Sequence, residues 1–176
     1  MFWAVCLPAQ LVVGVKGGLP FNDAMKLRSQ ISTRTVDTST TPFVVGPMLE
    51  LRLPVGFSVE FDGLWKRYKQ TVGSEGITDS SWEFPLLAKF KTGFFYLEGG
   101  ITHQRLGSVL TSLRAVARLD SAEVTSEFRR GGVFGAGVEV GGGRRRFSLG
   151  GRYSRWQSTS LIPNSNFVDV LAGFTF

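Results

Sequence analysis

The chain has 176 residues and a formal net charge of +6, from 20 basic and 14 acidic side chains, with 22 glycines and 15 phenylalanines. That length suits one domain with a real interior. A run of about 18 apolar residues is missing, which excludes a transmembrane helix but not transmembrane strands, since a tilted strand crosses in about 9–11 residues with only alternate ones apolar.

Residues 1–9, Met-Phe-Trp-Ala-Val-Cys-Leu-Pro-Ala, read as the tail of a secretory signal peptide with cleavage after Ala9, although the charged segment that should precede it is missing. Cys6 is the single cysteine, and the bulky Val5 and Trp3 before it argue against lipidation. Without residues 1–9 the chain carries no thiol and can cross an oxidising periplasm without mispairing.

Residues 10–176 divide into eight alternating segments: 10–18, 43–53, 56–68, 80–91, 93–104, 129–141, 145–157 and 166–176. Successive side chains of a strand point to opposite faces. One face collects apolar residues, such as Leu11, Val13, Val15, Leu49, Leu51, Val59, Phe61, Leu86, Leu97, Phe134, Val138 and Leu149. The other holds Lys16, Glu50, Arg52, Glu60, Asp62, Lys89, Glu98, Glu139, Arg152 and Asp169, with glycines between them.

The joints at Pro54-Val55, Lys91-Thr92 and Gly141-Gly142-Gly143 are short, whereas 19–42, 69–79, 105–128 and 158–165 are long and polar. Short turns at one end and long loops at the other are the pattern of transmembrane barrels, and an even strand count places both termini on the periplasmic side. Pro47 and Pro85 fall inside expected strands, where each removes a ladder hydrogen bond, so bulges or shifted boundaries are expected there. Within 106–127, Leu106, Val109, Leu110, Leu113 and Val116 recur at helical spacing, and the segment reads either as a short amphipathic helix or as strand extensions.

Aromatics gather at the strand ends. Phe57, Phe90, Phe94, Phe147 and Phe176 stand beside the short joints. Trp65, Tyr68, Trp82, Tyr153 and Trp156 stand at the long-loop ends, and two such girdles are expected at two membrane interfaces. The last strand alternates Val168, Val170, Ala172, Phe174 and Phe176 on one face and ends on an aromatic.

Period alone does not say which face is inside. With the apolar face inward the chain is a soluble calyx of lipocalin type. With it outward the chain is a membrane barrel. The signal-like start, Phe176, the girdles and the joint lengths favour outward. The charges then line the lumen, where they must be paired. Lys89 with Glu98, Arg52 with Glu60, and Lys16 with Asp169 are the expected pairs, the last requiring barrel closure. The fold expected is all-β: an eight-stranded antiparallel up-and-down transmembrane β-barrel with a salt-bridged, largely closed lumen, because eight strands leave room for side chains and little else.

In strand number, polar interior and the ending Gly173-Phe174-Thr175-Phe176, residues 10–176 resemble the small OmpA/OmpX-like outer-membrane β-barrel family. The resemblance implies a bacterial outer-membrane location and insertion by the barrel assembly machinery reading Phe174 and Phe176. It implies no cofactor, and with the chain ending at Phe176 no appended peptidoglycan-binding domain is expected.

Chemistry is sparse. His103 is the single histidine, and Ser108, Ser126 and Glu127 are the residues that could join it in a rim enzyme acting on lipid A; no spacing shows a nucleophile with its base, so no enzyme is expected. One histidine and dispersed carboxylates give no metal site. The Gly141-Gly142-Gly143 run lacks the Lys-Ser/Thr and helix of a phosphate loop. The basic residues show no stripe with interleaved aromatics, so nucleic acid is not an expected partner, while anionic headgroups are. Lys66, Arg67, Lys69, Arg129, Arg130 and Arg155 lie toward the outer rim, where lipopolysaccharide phosphates would sit, and Arg144, Arg145 and Arg146 lie at a periplasmic turn. The expected role is that of a monomeric structural or adhesive protein, with loops 19–42 and 105–128 as contact surfaces. The alternatives are a narrow pore, a lipid A-modifying rim enzyme, and a soluble lipocalin-like ligand-binding barrel.

Overall fold

The computed structural model describes residues 9–21, 36–72, 75–105, 128–157 and 166–176. The expected signal tail, with Cys6, lies outside them apart from Ala9, as does segment 106–127. The described chain is almost entirely strand: β1 (Gln10–Pro20), β2 (Val36–Arg52), β3 (Phe57–Asp62), β4 (Leu64–Val72), β5 (Glu75–Thr92), β6 (Phe95–Arg105), β7 (Phe128–Gly142), β8 (Arg145–Trp156) and β9 (Asn166–Thr175). Every pairing is antiparallel. β3 and β4 are successive halves of one wall strand, both held between β2 and β5. β1 pairs with β2 on one side and β9 on the other, so the sheet closes on itself as an eight-stranded barrel. The Phe176 N–H donates to the Val13 carbonyl at 3.0 Å and extends that closure to the last residue. Closure leaves no wall strand with an unpaired edge among the described residues.

Three short joints, at 53–56, 93–94 and 143–144, lie at one end of the barrel together with both described chain ends. At that turn end Val55 sits at φ 65°, ψ 27°, a left-handed conformation uncommon for a β-branched residue. The far end differs from the sequence expectation. β4 and β5 remain paired out to Val72 opposite Glu75, so most of the expected long loop 69–79 is a hairpin joined at 73–74. β2 likewise begins at Val36, inside the expected loop 19–42. A ladder needs backbone groups, not apolar side chains. Strands that continue past the apolar band are rich in Thr, Ser and Gln in sequence and read as loop.

The prolines explain why one wall strand is split. Carrying the registers of β3 and β4 across the gap places Pro47 opposite Gly63 and Pro85 opposite Asp62. The Gly63 N–H donates to the Pro47 carbonyl at 2.9 Å, but Pro47 has no N–H to return the bond. Successive residues turn their backbone groups to opposite neighbours. Gly63 faces β2, so Asp62 faces β5, where Pro85 also lacks a donor. Two prolines on flanking strands thus interrupt the ladder at adjacent residues. The register is unchanged across the seam, so the expected bulge at Pro47 is absent; the irregularity on β2 lies between Thr40 and Val44 instead. Aromatic side chains cover the seam from outside: Phe61 and Trp82 each stack on Phe84, with centroids 6.3 Å apart and planes within 10°.

The alternation resolves the two faces. Leu11, Val13, Val15, Leu49, Leu51, Phe61, Leu86, Leu97, Ile101, Phe134, Val138, Leu149, Val170 and Phe174 are all exposed on the outer wall. Glu50, Glu60, Asp62, Lys89, Glu98, Arg152 and Asp169 are buried within. The calyx alternative needed the reverse, an apolar interior able to hold a ligand, and the charged interior excludes it.

Candidate functional site

The distinctive chemistry of the molecule is the filling of its lumen. All ten charges assigned to the inner face from the sequence, Lys16, Glu50, Arg52, Glu60, Asp62, Lys89, Glu98, Glu139, Arg152 and Asp169, are buried there. They form three linked layers.

The central layer is built on Arg152 of β8. Its Nε donates to Glu98 Oε1 at 2.8 Å, and its Nη1 to Asp62 Oδ2 at 2.9 Å. Its Nη2 lies 3.4 Å from Glu60 Oε1. Lys16 of β1 pairs with Glu60 and lies 3.3 Å from Asp62 Oδ2. Within this layer two cations serve three buried carboxylates, and Glu60 is also reached from the adjoining layer by Lys89 at 3.6 Å.

The turn-end layer joins Lys89 to Glu139 at 2.8 Å, with Glu60 and Glu50 at 3.6 and 3.9 Å. Lys91 and Arg146 reach the other Glu139 oxygen at 2.9 and 2.8 Å. Arg52 donates to Glu50 at 2.8 Å, to the Gly143 carbonyl at 2.6 Å and to Thr175 Oγ1 at 3.1 Å, tying a turn and the last strand to this layer. Ser58 donates to the remaining Glu50 oxygen at 2.8 Å.

The far-end layer contains residues that the sequence reading did not assign to the lumen. Lys66 bridges Asp169 at 2.9 Å and Glu83 at 2.8 Å. Thr102 donates to Glu83 at 3.1 Å, and Gln104 to Ser81 at 3.0 Å. Above them Trp156 packs edge-on to Phe167, with centroids 6.5 Å apart. The Arg129 guanidinium lies 5.7 Å from the Trp156 ring, and Lys66 5.6 Å from Phe167. Parity carried this signal: Lys66 shares its face with Glu60 and Asp62, Glu83 with Lys89, Arg129 with Glu139, and Trp156 with Arg152.

Several expectations are corrected. Trp156 is only 1% exposed and points inward, so it is not part of the outer girdle. It is an even number of residues from Arg152, and a strand cannot turn both to opposite faces. Trp82 and Tyr153 do lie on the outer wall and Trp65 is half-buried there; the Tyr68 and Lys69 side chains lie outside the described residues. Lys66 and Arg129 are lumen residues, not members of an outer collar. None of the three expected pairs occurs among the described ion pairs. Lys89 takes Glu139 where Glu98 was expected, Arg52 takes Glu50 where Glu60 was, and Lys16 takes Glu60 and Asp62 where Asp169 was. The expected pairs were chosen on adjacent strands, but in a narrow lumen long side chains reach across the axis.

The inner charges nearly balance. Lys16, Arg52, Lys66, Lys89, Lys91, Arg129, Arg146 and Arg152 face Glu50, Glu60, Asp62, Glu83, Glu98, Glu139 and Asp169. Eight cations against seven anions keep the buried interior close to neutral, which the burial of charge requires. Glycines make the space: a Cβ on Gly137 would lie 2.6 Å from Tyr96 Oη, and one on Gly150 would overlap the same hydroxyl. The gap lined by Lys16, Tyr96, Glu98, Ser148 and Arg152 has no room for a water-sized sphere. The layers form a plug.

A catalytic reading finds little geometry. His103 alternates with the exposed Ile101 and Arg105 on the outer face, whereas Ser154 is buried on the inner face. The wall separates them. Ser108, Ser126 and Glu127 lie outside the described residues. No cluster of three or more potential metal ligands occurs among the described residues.

No family model matches the sequence, and no curated protein matches it. A fold comparison does match. The barrel is similar to Neisserial surface protein A. Its crystal structure superposes with a TM-score of 0.51 at 15% sequence identity, covering 96% of this chain and 97% of that one. At that identity the likeness is one of fold, and it spans the whole barrel.

Proposed function

We propose that this chain is a bacterial outer-membrane β-barrel with a structural or surface-contact role and a lumen that does not conduct. The observation that carries this reading is the inversion of the barrel: apolar side chains cover the outside and paired charges fill the inside. An outer wall bearing Leu11, Val13, Val15, Leu97, Ile101 and Phe134 half or more exposed, or nearly so, is stable against lipid and unstable in water. Closure pairs the backbone of each wall strand on both sides, apart from the two donors lost at Pro47 and Pro85, which is what a strand must achieve to cross a bilayer.

The similar fold belongs to a protein named for the cell surface, which supports placing the far end outside. There segments 22–35, 106–127 and 158–165 join the strands, and contacts with other molecules would be made by them. The exposed Phe174 and Phe176 suit recognition by the barrel assembly machinery. Lipids, including lipopolysaccharide, are the natural partners of the wall, and the closed barrel needs no second copy to complete it.

The test is fractionation followed by gel mobility. The protein should be in the outer-membrane fraction, stay folded in SDS when unheated, and shift on boiling. Recovery from the soluble periplasm without a heat shift would reject the reading.

A further inference from the structure

On the outer wall, near the far end, three adjacent strands bring together a group of cations. Arg105 and His103 lie on β6, Arg130 on β7 and Arg155 on β8. His103 stands directly opposite Arg130, Arg105 opposite Phe128, and Arg155 opposite Gly132. Arg105 and Arg155 are thus each the diagonal neighbour of Arg130 on one face, about 7–8 Å away along the backbone. All three arginines are exposed, and none has an ion pair among the described residues. This sets them apart from Arg52, Arg129 and Arg152, which the lumen consumes.

The floor between them is open. Gly132 lies between Ile101 and Arg155, and a Cβ added there would meet nothing within 4 Å. Its φ is not in the left-handed region, so no turn or strain accounts for the glycine. The result is a notch with apolar residues toward the turn end and guanidiniums beside and beyond it.

The height of this group fits one environment. Ten residues separate Phe95 from Arg105, and ten separate Val140 from Arg130. At about 3.4 Å per residue and a tilt of about 40° each climbs about 26 Å along the barrel axis. An outer-membrane barrel carries an apolar band of about 25 Å. The arginines stand where that band ends and headgroups begin.

We infer that Arg105, Arg130 and Arg155, around the Gly132 notch, form a binding site for the phosphate groups of a phosphorylated glycolipid of the outer leaflet. This rests on the outer-membrane reading. Guanidinium forks pair bidentately with phosphate oxygens. His103 adds a further N–H donor, and Ile101 and Phe134 offer an acyl chain a path down the wall.

The test uses the folded full chain in detergent micelles and native mass spectrometry. The probes are diphosphoryl lipid A and the same acylated sugar stripped of both phosphates. The wild-type protein should bind the phosphorylated form at least tenfold more tightly. The triple variant Arg105→Gln/Arg130→Gln/Arg155→Gln should lose that preference, and Arg145→Gln at the turn end should keep it. Gly132→Val fills the notch without touching a charge and should weaken binding severalfold. Each variant is first checked for its heat shift; if the triple variant does not fold, Arg130→Gln alone carries the test. An unchanged preference in the arginine variants overturns the inference, as does a wild-type protein indifferent to phosphate. Saturation by millimolar inorganic phosphate that abolishes lipid binding also overturns it, in favour of a free-anion site. A chain with no heat shift and no membrane fraction instead overturns the outer-membrane reading.

Discussion

Arg152 and Asp62 meet at 2.9 Å across the full width of the barrel. In the closed strand order they lie on opposite walls, four strands apart in either direction. With Glu98 and Glu60 also on this guanidinium, Arg152 is a pin through the lumen. Replacing it by Met keeps the volume and leaves buried carboxylates without their shared cation. Removing one partner of a buried pair typically costs about 3–5 kcal/mol. Arg152→Met should lower the temperature at which the folded gel band disappears. Adding Asp62→Asn should recover part of the loss, because the stranded charge goes with it. Additive losses in the double-mutant cycle would mean that the pair is not energetically coupled.

The same plug predicts electrical silence. In a planar lipid bilayer the wild-type protein should give no resolvable conductance steps, since the gap beside Tyr96 and Arg152 does not admit a water-sized sphere. Tyr96→Ala/Glu98→Ala/Arg152→Ala removes two large walls of that gap and a matched charge pair. Small, stable steps should then appear. Steps of equal size in both proteins would return the narrow-pore alternative to first place.

Lumen glycines predict a packing defect with a specific remedy. A Cβ at Gly150 would overlap Tyr96 Oη and lie 2.8 Å from the Ala136 carbonyl. Overpacking of this kind costs about 1–3 kcal/mol. Gly150→Ala should destabilise the barrel in urea unfolding from micelles. Tyr96→Phe removes the overlapping oxygen and should return part of that loss in the double variant. A neutral Gly150→Ala would show that the Tyr96 ring can move aside.

Much of this architecture is legible in the chain because parity is strict. Once Glu60 and Asp62 face inward, Leu64 and Lys66 must follow, and the same count carries Arg152 to Ser154 and Trp156. Chemical type misleads where parity does not. A tryptophan near a strand end suggests an interface, yet Trp156 sits on an inner position and caps the lumen beside Arg129. Ion-pair partners are less legible, because register fixes neighbours along the wall but not reach across the axis. Arg152 finds Asp62 only once eight strands close at one radius. The seam at Gly63 lies between these cases. Pro47 and Pro85 announce a lost donor each, but only the pairing of both strands with β3 and β4 shows that the two losses fall side by side.

The turn at Pro54–Gly56 carries strain that a substitution can relieve. Val55 is 83% exposed and holds φ 65°, so its side chain gains little from burial while its Cβ opposes the backbone. A left-handed conformation costs an L-residue about 1–2 kcal/mol, and asparagine tolerates it better than a β-branched residue. Val55→Asn should therefore stabilise the barrel by up to about 1 kcal/mol, read as a higher urea midpoint with an unchanged slope. Val55→Ile retains the β-branch and should leave the midpoint near that of the wild type. If Asn lowers the midpoint while Ile leaves it unchanged, the valine contributes through contact with lipid at the turn end, and that contact outweighs its backbone strain.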